Sequence, residues 1–89
     1  MEHLNIRVTG RVQGVFYRHS ARKKAEELGI FGFARNEPDG SVYMEAEGSQ
    51  NALAGFVEWA KRGPMLARVD NIKTEEGKLK NFSDFKIEH

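Results

Sequence analysis

The run Gly10-Arg11-Val12-Gln13-Gly14-Val15-Phe16-Tyr17-Arg18 is the part of the chain whose residue types and spacing suggest chemistry. Glycines at positions 10 and 14 bracket a turn and allow backbone angles closed to other residues. Successive N–H groups in such a turn, joined by the free N–H groups of a helix N-terminus, form a concavity that favours anions. Arg18 at its lip adds a planar, permanently charged fork that fits two phosphate oxygens at once. Glycine-bearing strand-to-helix turns are also common, so the residues alone leave open a plain turn with a solvated arginine.

Two better-known phosphate loops are excluded. Gly10 and Gly14 are too close for G-x-x-x-x-G-K-[ST] and no lysine follows them, and no G-x-G-x-x-G follows the first strand. Nucleoside triphosphate and dinucleotide binding are thereby disfavoured. His19 follows Arg18, but no second ligand or orienting carboxylate lies near it in sequence, so it reads as structural. His3 and His89 read as terminal and solvated. Asn36, next to Glu37-Pro38-Asp39-Gly40, reads on its own as a turn former. Phe56 and Trp59 read as core and boundary packing.

The chain that must position these groups has 89 residues, 39% apolar and 30% charged, which predicts one globular domain over 1–89. A chain of this size buries roughly 60–65% of its unfolded surface, so any site should lie at an edge or in a loop. The absence of cysteine excludes disulfides, thiol nucleophiles, thiolate zinc sites and cysteine-ligated iron–sulfur clusters. No apolar run approaches the roughly 20 residues of a membrane span, and the first residues lack a signal-peptide core, so a cytoplasmic location is expected. The net charge of +1 hides an asymmetry: residues 1–24 carry six basic side chains against Glu2 alone. That excess fits either an anionic ligand or a solvated basic helix face at Arg22, Lys23 and Lys24.

Strict alternation of Leu4, Ile6 and Val8 predicts a first strand. Ala21, Ala25 and Leu28 share one helical face between Tyr17 and Leu28, with Gly29 closing the helix. This helix starts without an obvious cap; Ser20 is a candidate, but a start nearer Tyr17 would leave first-turn N–H groups pointing at something other than a side chain. Ile30 to Asn36 and Ser41 to Glu47 form a hairpin across Asp39-Gly40. Ser49 caps a second helix with Leu53, Phe56, Val57 and Ala60 on one stripe, ended by Gly63-Pro64. Gly55 within it indicates a close contact or simple tolerance. Ala67 to Glu75 is a strand whose parity breaks between Val69 and Ile72, suggesting a bulge. Glu76 to Asn81 is polar loop, and Phe85 with Ile87 forms a short last strand. Right-handed crossovers put both helices on one face, giving an α+β, ferredoxin-like βαββαβ sandwich with an antiparallel sheet and a short extra C-terminal strand. The opposite face is left open, with Arg7 and Arg11 on it.

Gly10 to Arg18, then Gly32-Phe33-Ala34-Arg35-Asn36 with Asp39-Gly40, Gly63-Pro64 with Ala67-Arg68-Val69, and the Phe85-Ile87 end resemble the acylphosphatase family over nearly the whole chain. The resemblance implies metal-free, cofactor-free hydrolysis of a carboxyl-phosphate bond. It makes Val12, Gln13, Gly14, Val15, Phe16, Tyr17 and Arg18 the phosphate cradle, Arg18 the essential phosphate-binding arginine, and Asn36 the amide that orients the attacking water. Phe16 stands where many family members have glycine, and Tyr17 where they have phenylalanine. The implied partners are a small-molecule acyl phosphate and inorganic phosphate as product and inhibitor, with no nucleic acid, no membrane and a monomeric state.

The chemistry agrees with what is missing. An acyl phosphate leaves as a carboxylate whose conjugate acid has a pKa around 4, so it needs no general acid. Glu26 and Glu27 are the only carboxylates between Gly10 and Asn36, and they lie well beyond the loop. Arg7 and Arg35 read as surface charges that raise the local positive potential. The competing function is single-stranded RNA binding, because the strand order is shared and Gly29-Ile30-Phe31-Gly32-Phe33-Ala34 partly imitates an RNA-recognition strand. Against it, the aromatic strand is the second, and Leu4 to Thr9 offers no ring for a base. A non-catalytic regulatory domain on the same fold is a third reading.

Overall fold

Alternation in the first strand puts Leu4, Ile6 and Val8 on one face and His3, Asn5, Arg7 and Thr9 on the other. In the computed structural model, which describes Met1–His89, this strand is β1, Glu2–Arg11. It is followed by α1 (Tyr17–Leu28), β2 (Phe31–Asn36), β3 (Val42–Gly48), α2 (Gln50–Arg62), β4 (Arg68–Gly77) and β5 (Phe85–Glu88). The sheet order is β4-β1-β3-β2-β5. Both crossover helices pack on the face carrying Ile6, Val8, Ala34, Val42, Met44 and Ala46, where Ala21 and Ala25 of α1 meet Leu53, Phe56 and Ala60 of α2 in the core. The ferredoxin-like plan is therefore present.

Local signals account for the boundaries. The Ser49 hydroxyl accepts from the Ala52 N–H at 3.1 Å, capping α2. A Cβ on Gly55 would stand 3.7 Å from Leu28, an ordinary contact, so tolerance rather than forced proximity explains this glycine. In the β1–β4 ladder Thr9 faces Asn71 but Gly10 faces Val69, so Asp70 is the extra residue of a bulge where the parity of β4 breaks. Gly10 has φ 127°, and a Cβ there would lie 2.2 Å from the Arg68 carbonyl oxygen. Only glycine lets β1 kink here into the loop that follows.

Two expectations need correction. The sheet is antiparallel only across its first four positions, since β5 pairs parallel with β2. β4 ends at one edge and β5 lies at the other, so residues 78–84 must cross the sheet, and the return strand then runs in the direction of β2. That crossing also closes part of the face expected to be open. His3, 2% exposed, and Glu47, fully buried, lie beneath it rather than in solvent. Glu47 accepts from the Lys80 N–H at 2.6 Å and the Phe82 N–H at 3.2 Å, and bonds His3 Nδ1 at 2.7 Å. The Phe82 ring stacks on His3 at 6.1 Å and meets the Phe33 ring edge-on at 5.8 Å.

Burial alone would push the Glu47 carboxyl up, but the Lys80 N–H, His3 and the Phe82 N–H outweigh it and hold it below the ordinary value of 4.5. A carboxyl whose folded pKa is depressed contributes stability above its unfolded pKa and loses it as pH falls through the folded value. Glu47→Gln should thus cost about 2 kcal/mol near neutral pH, because an amide cannot accept from both N–H groups of the crossing segment as a carboxylate does. The difference from the parent protein in urea unfolding should shrink at about pH 3. An equal loss at both pH values would show that the carboxylate charge is not what holds the segment.

Candidate functional site

Val12, Val15 and Tyr17 are buried in the core beneath the loop that joins β1 to α1. The Tyr17 hydroxyl donates to the Ala60 carbonyl at 2.8 Å, and burial pushes this hydroxyl well above its ordinary range. These anchors alternate with Gln13, Gly14 and Phe16, so the loop is pinned from below at every second or third residue and its backbone is turned outward. Gly14 and Phe16 take left-handed angles, φ 73° and 63°. Phe16 is the residue that precedes α1, and no side chain caps the helix. Ser20 is not the cap either; its N–H is the first to be satisfied, donating to the Phe16 carbonyl at 3.0 Å. The backbone N–H groups from Val12 to His19 donate to no carbonyl and no side chain of the protein.

Asn36 ends β2, 18 positions after Arg18. It shares the strand face of Gly32 and Ala34, the face that meets the helices, and is half-buried, and its carboxamide makes no hydrogen bond within the protein. Arg18, in the first turn of α1, donates from Nη1 to the Glu88 carbonyl at 2.6 Å. One donor is thus used to fix the guanidinium against β5, and the others stay free for a ligand. A cavity of about 260 Å³ is lined by Val12, Gly14, Phe16, Tyr17, Arg18, His19 and Asn36. No carboxylate lines it. A larger groove of about 380 Å³ between α2 and the β1–β4 edge is floored by Leu4, Leu53 and Val57 and rimmed by Glu2, Glu58 and Glu76 with Gln50 and Lys61, so three carboxylates face one cation there.

The structure therefore brings Arg18 and Asn36 to one cavity, with Val12, Gly14, Phe16 and Tyr17 around it. Val15 and Gln13 do not line it. The Val15 side chain belongs to the core, and Gln13 reaches away, donating from Nε2 to the Glu37 carbonyl at 2.8 Å and the Ser41 carbonyl at 2.9 Å. Gln13 thereby ties the loop to the hairpin that follows Asn36. His19, set aside on sequence grounds, does line the cavity; its place in an uncapped first helical turn was the available signal.

Arg7 and Arg35 are more than surface charges. Both lie against the Tyr43 ring, at 5.2 and 5.1 Å, on the sheet face away from the helices. Both also pair with Glu37, at 3.7 and 3.3 Å, and Arg7 donates to the Ser41 hydroxyl at 2.9 Å. Burial first, then the hydrogen bond to Glu45, pushes the Tyr43 hydroxyl up to about 12. These arginines brace the hairpin, and their charge is matched by acidic neighbours. Arg18 is the arginine that lines the cavity.

The family model for acylphosphatase matches residues 4–87 of this chain. The chain is 51% identical over 85 residues to an acylphosphatase of Thermus thermophilus, covering 92% of this chain and 97% of that protein. It is 47% identical over 76 residues to one of Thiobacillus denitrificans, covering 85% of each. A crystal structure of acylphosphatase from Bacillus subtilis superposes with a TM-score of 0.97 at 37% identity, covering 100% of both chains.

Gln13→Leu keeps the side-chain volume but frees two carbonyls of the hairpin, so the loop and Asn36 lose their tie. Affinity for inorganic phosphate, measured by calorimetry, should fall about threefold to tenfold while the far-ultraviolet circular dichroism is preserved. Unchanged affinity would show that the Gln13 bridge does not set the shape of the loop.

Proposed function

The chain belongs to the acylphosphatase family and is an acylphosphatase, and from that premise we propose that the cavity holding Arg18 and Asn36 is its catalytic centre. The observation that carries this reading is the run of unsatisfied N–H groups from Val12 to His19 around a cavity that also holds Arg18 and Asn36. A dianionic phosphoryl group supplies the acceptors these donors lack, and the helix N-terminus adds a favourable field.

The roles follow from what each group can do. The loop N–H groups and the free donors of Arg18 hold the phosphoryl oxygens as charge spreads over them, the electrostatic contribution that dominates phosphoryl transfer. The Asn36 carboxamide oxygen accepts a hydrogen bond from a water and fixes its line of attack. The water oxygen bonds to phosphorus, the phosphorus–oxygen bond to the acyl group breaks, and its electron pair leaves with the carboxylate. The proton of the water stays with the phosphate product or passes to solvent. The carboxylate departs as a stable anion, so the cavity requires no general acid, in keeping with a lining free of carboxylates. This route uses no metal and no cofactor.

Inorganic phosphate, as product, fits the same donors and inhibits. The substrate is read as a small molecule free in solution, with no nucleic acid as partner: Arg35 lies 5.5 Å over the Phe33 ring, Arg7 and Arg35 flank Tyr43, and Phe82 covers Phe33 from the crossing segment, so neither Phe33 nor Tyr43 is free to stack on a base. No helix is long and apolar enough to cross a membrane. The reading has the protein act in the cytoplasm as a monomer, and a cysteine-free chain suits a compartment where disulfides do not persist.

The decisive assay is hydrolysis of acetyl phosphate in the presence of a chelator. Turnover should persist; a requirement for added metal would overturn the mechanism, and no protein-dependent hydrolysis would overturn the enzyme reading. Arg18→Ala should weaken inhibition by inorganic phosphate by about tenfold or more, whereas Asn36→Ala should lower kcat by about 10²-fold or more with phosphate affinity nearly kept. The reverse pattern would exchange the two roles.

A further inference from the structure

Phe16 breaks two rules at once. It holds φ 63° and ψ 23°, a region that glycine enters freely and a bulky residue does not. The other non-glycine residue with positive φ is Asn81, a type that tolerates this conformation. Phe16 is also 70% exposed. It fills no part of the core and cannot cap α1, so the strained backbone gains nothing from the ring in packing or in helix formation. Backbone strain at a site lining a cavity is a pointer to function when no structural need explains it.

Phe16 lines the cavity that contains Arg18 and Asn36. The other apolar residues lining that cavity, Val12 and Tyr17, are each 1% exposed and belong to its floor. Phe16 is therefore the one exposed hydrophobic residue among those lining the cavity. The backbone donors and Arg18 are spoken for by the phosphoryl group, and the acyl group must extend away from them toward solvent in order to leave. An exposed phenyl ring beside that path can remove apolar surface from water only on the acyl side of the substrate.

We propose that Phe16 is a specificity-determining residue that contacts the acyl group and favours acyl phosphates with an apolar, above all aromatic, acyl group over short ones. This rests on the catalytic reading of the same cavity. The contact is formed in the bound state, so it acts mainly through KM rather than kcat.

The test compares kcat/KM for benzoyl phosphate with that for acetyl phosphate, two substrates whose carboxylates leave with similar ease. The parent protein should prefer benzoyl phosphate. In Phe16→Gly and Phe16→Asn, both suited to the left-handed backbone, the ratio should fall about tenfold, through a rise in KM for benzoyl phosphate. Phe16→Tyr, which keeps the ring, should retain the parent ratio. Reading a ratio within each variant removes any effect of the substitution on the cradle itself. An unchanged ratio in the glycine and asparagine variants, with both substrates hydrolysed, overturns the inference alone. So does an equal fall in the tyrosine variant. Failure of the parent protein to hydrolyse either compound overturns instead the catalytic reading beneath it.

Discussion

Eight consecutive backbone N–H groups, from Val12 to His19, find no acceptor in the protein. Leaving polar groups unmatched at a helix start opposes folding unless water or a ligand meets them, and most helices avoid it with a side-chain cap. Here the residue in the cap position is Phe16, whose side chain has nothing to offer the helix. The surrounding structure is arranged to hold this loop open. Val12, Val15 and Tyr17 clamp it to the core from beneath, the kink at Gly10 opposite the β4 bulge turns β1 into it, and Gln13 fastens its flank to the β2–β3 hairpin. A loop left free would collapse onto its own carbonyls, and a capped one would present no donors.

The two ends of the sheet divide the work. At the end where β1, β2 and β5 finish, donors converge and acidic groups are kept out of the cavity. Toward the other end, on the face away from the helices, Glu45 and Glu47 lie beneath residues 78–84, with Lys80 at 2.8 Å from Glu45 and His3 at 2.7 Å from Glu47. Burying carboxylates is costly unless they are partnered, and here Lys80 and Phe82 of the segment they hold down supply partners beside His3 and Tyr43 of the sheet. The fold can thus carry buried negative charge for its own cohesion without bringing it near a phosphate. Between the two ends, Arg7, Tyr43 and Arg35 form a stacked band whose cations are matched by Glu37, so the charges nearest the site brace it rather than compete for its ligand.

Local signals carried much of this into the sequence. Alternation at Leu4, Ile6 and Val8, the Ser49 cap, the broken parity between Val69 and Ile72 and the glycine-bearing loop ending in Arg18 each concern residues close together along the chain. What they could not show depends on distant pairing. His3 looked solvated because its partner, Glu47, lies 44 positions away. The polar residues of β3 read as the wet half of an alternating strand, and only the crossing segment makes that face dry. Gln13 sat among the cradle residues in sequence, yet its donors point at the carbonyls of Glu37 and Ser41. A side chain's direction is set by tertiary contacts, which the order of residues along a loop does not reveal.

The bond from Arg18 to the Glu88 carbonyl spans 70 positions. A ribosome releases the chain vectorially, so the loop and α1 emerge long before the strand that orients their arginine. Contacts of such sequence separation form late, after the loop-closure entropy between them has been overcome. Until β5 docks beside β2, a nascent chain lacks Phe85 from its core and presents an unanchored guanidinium beside its cradle. The ability to grip a phosphate firmly then becomes a property of the finished molecule, and the last strand serves as its clock.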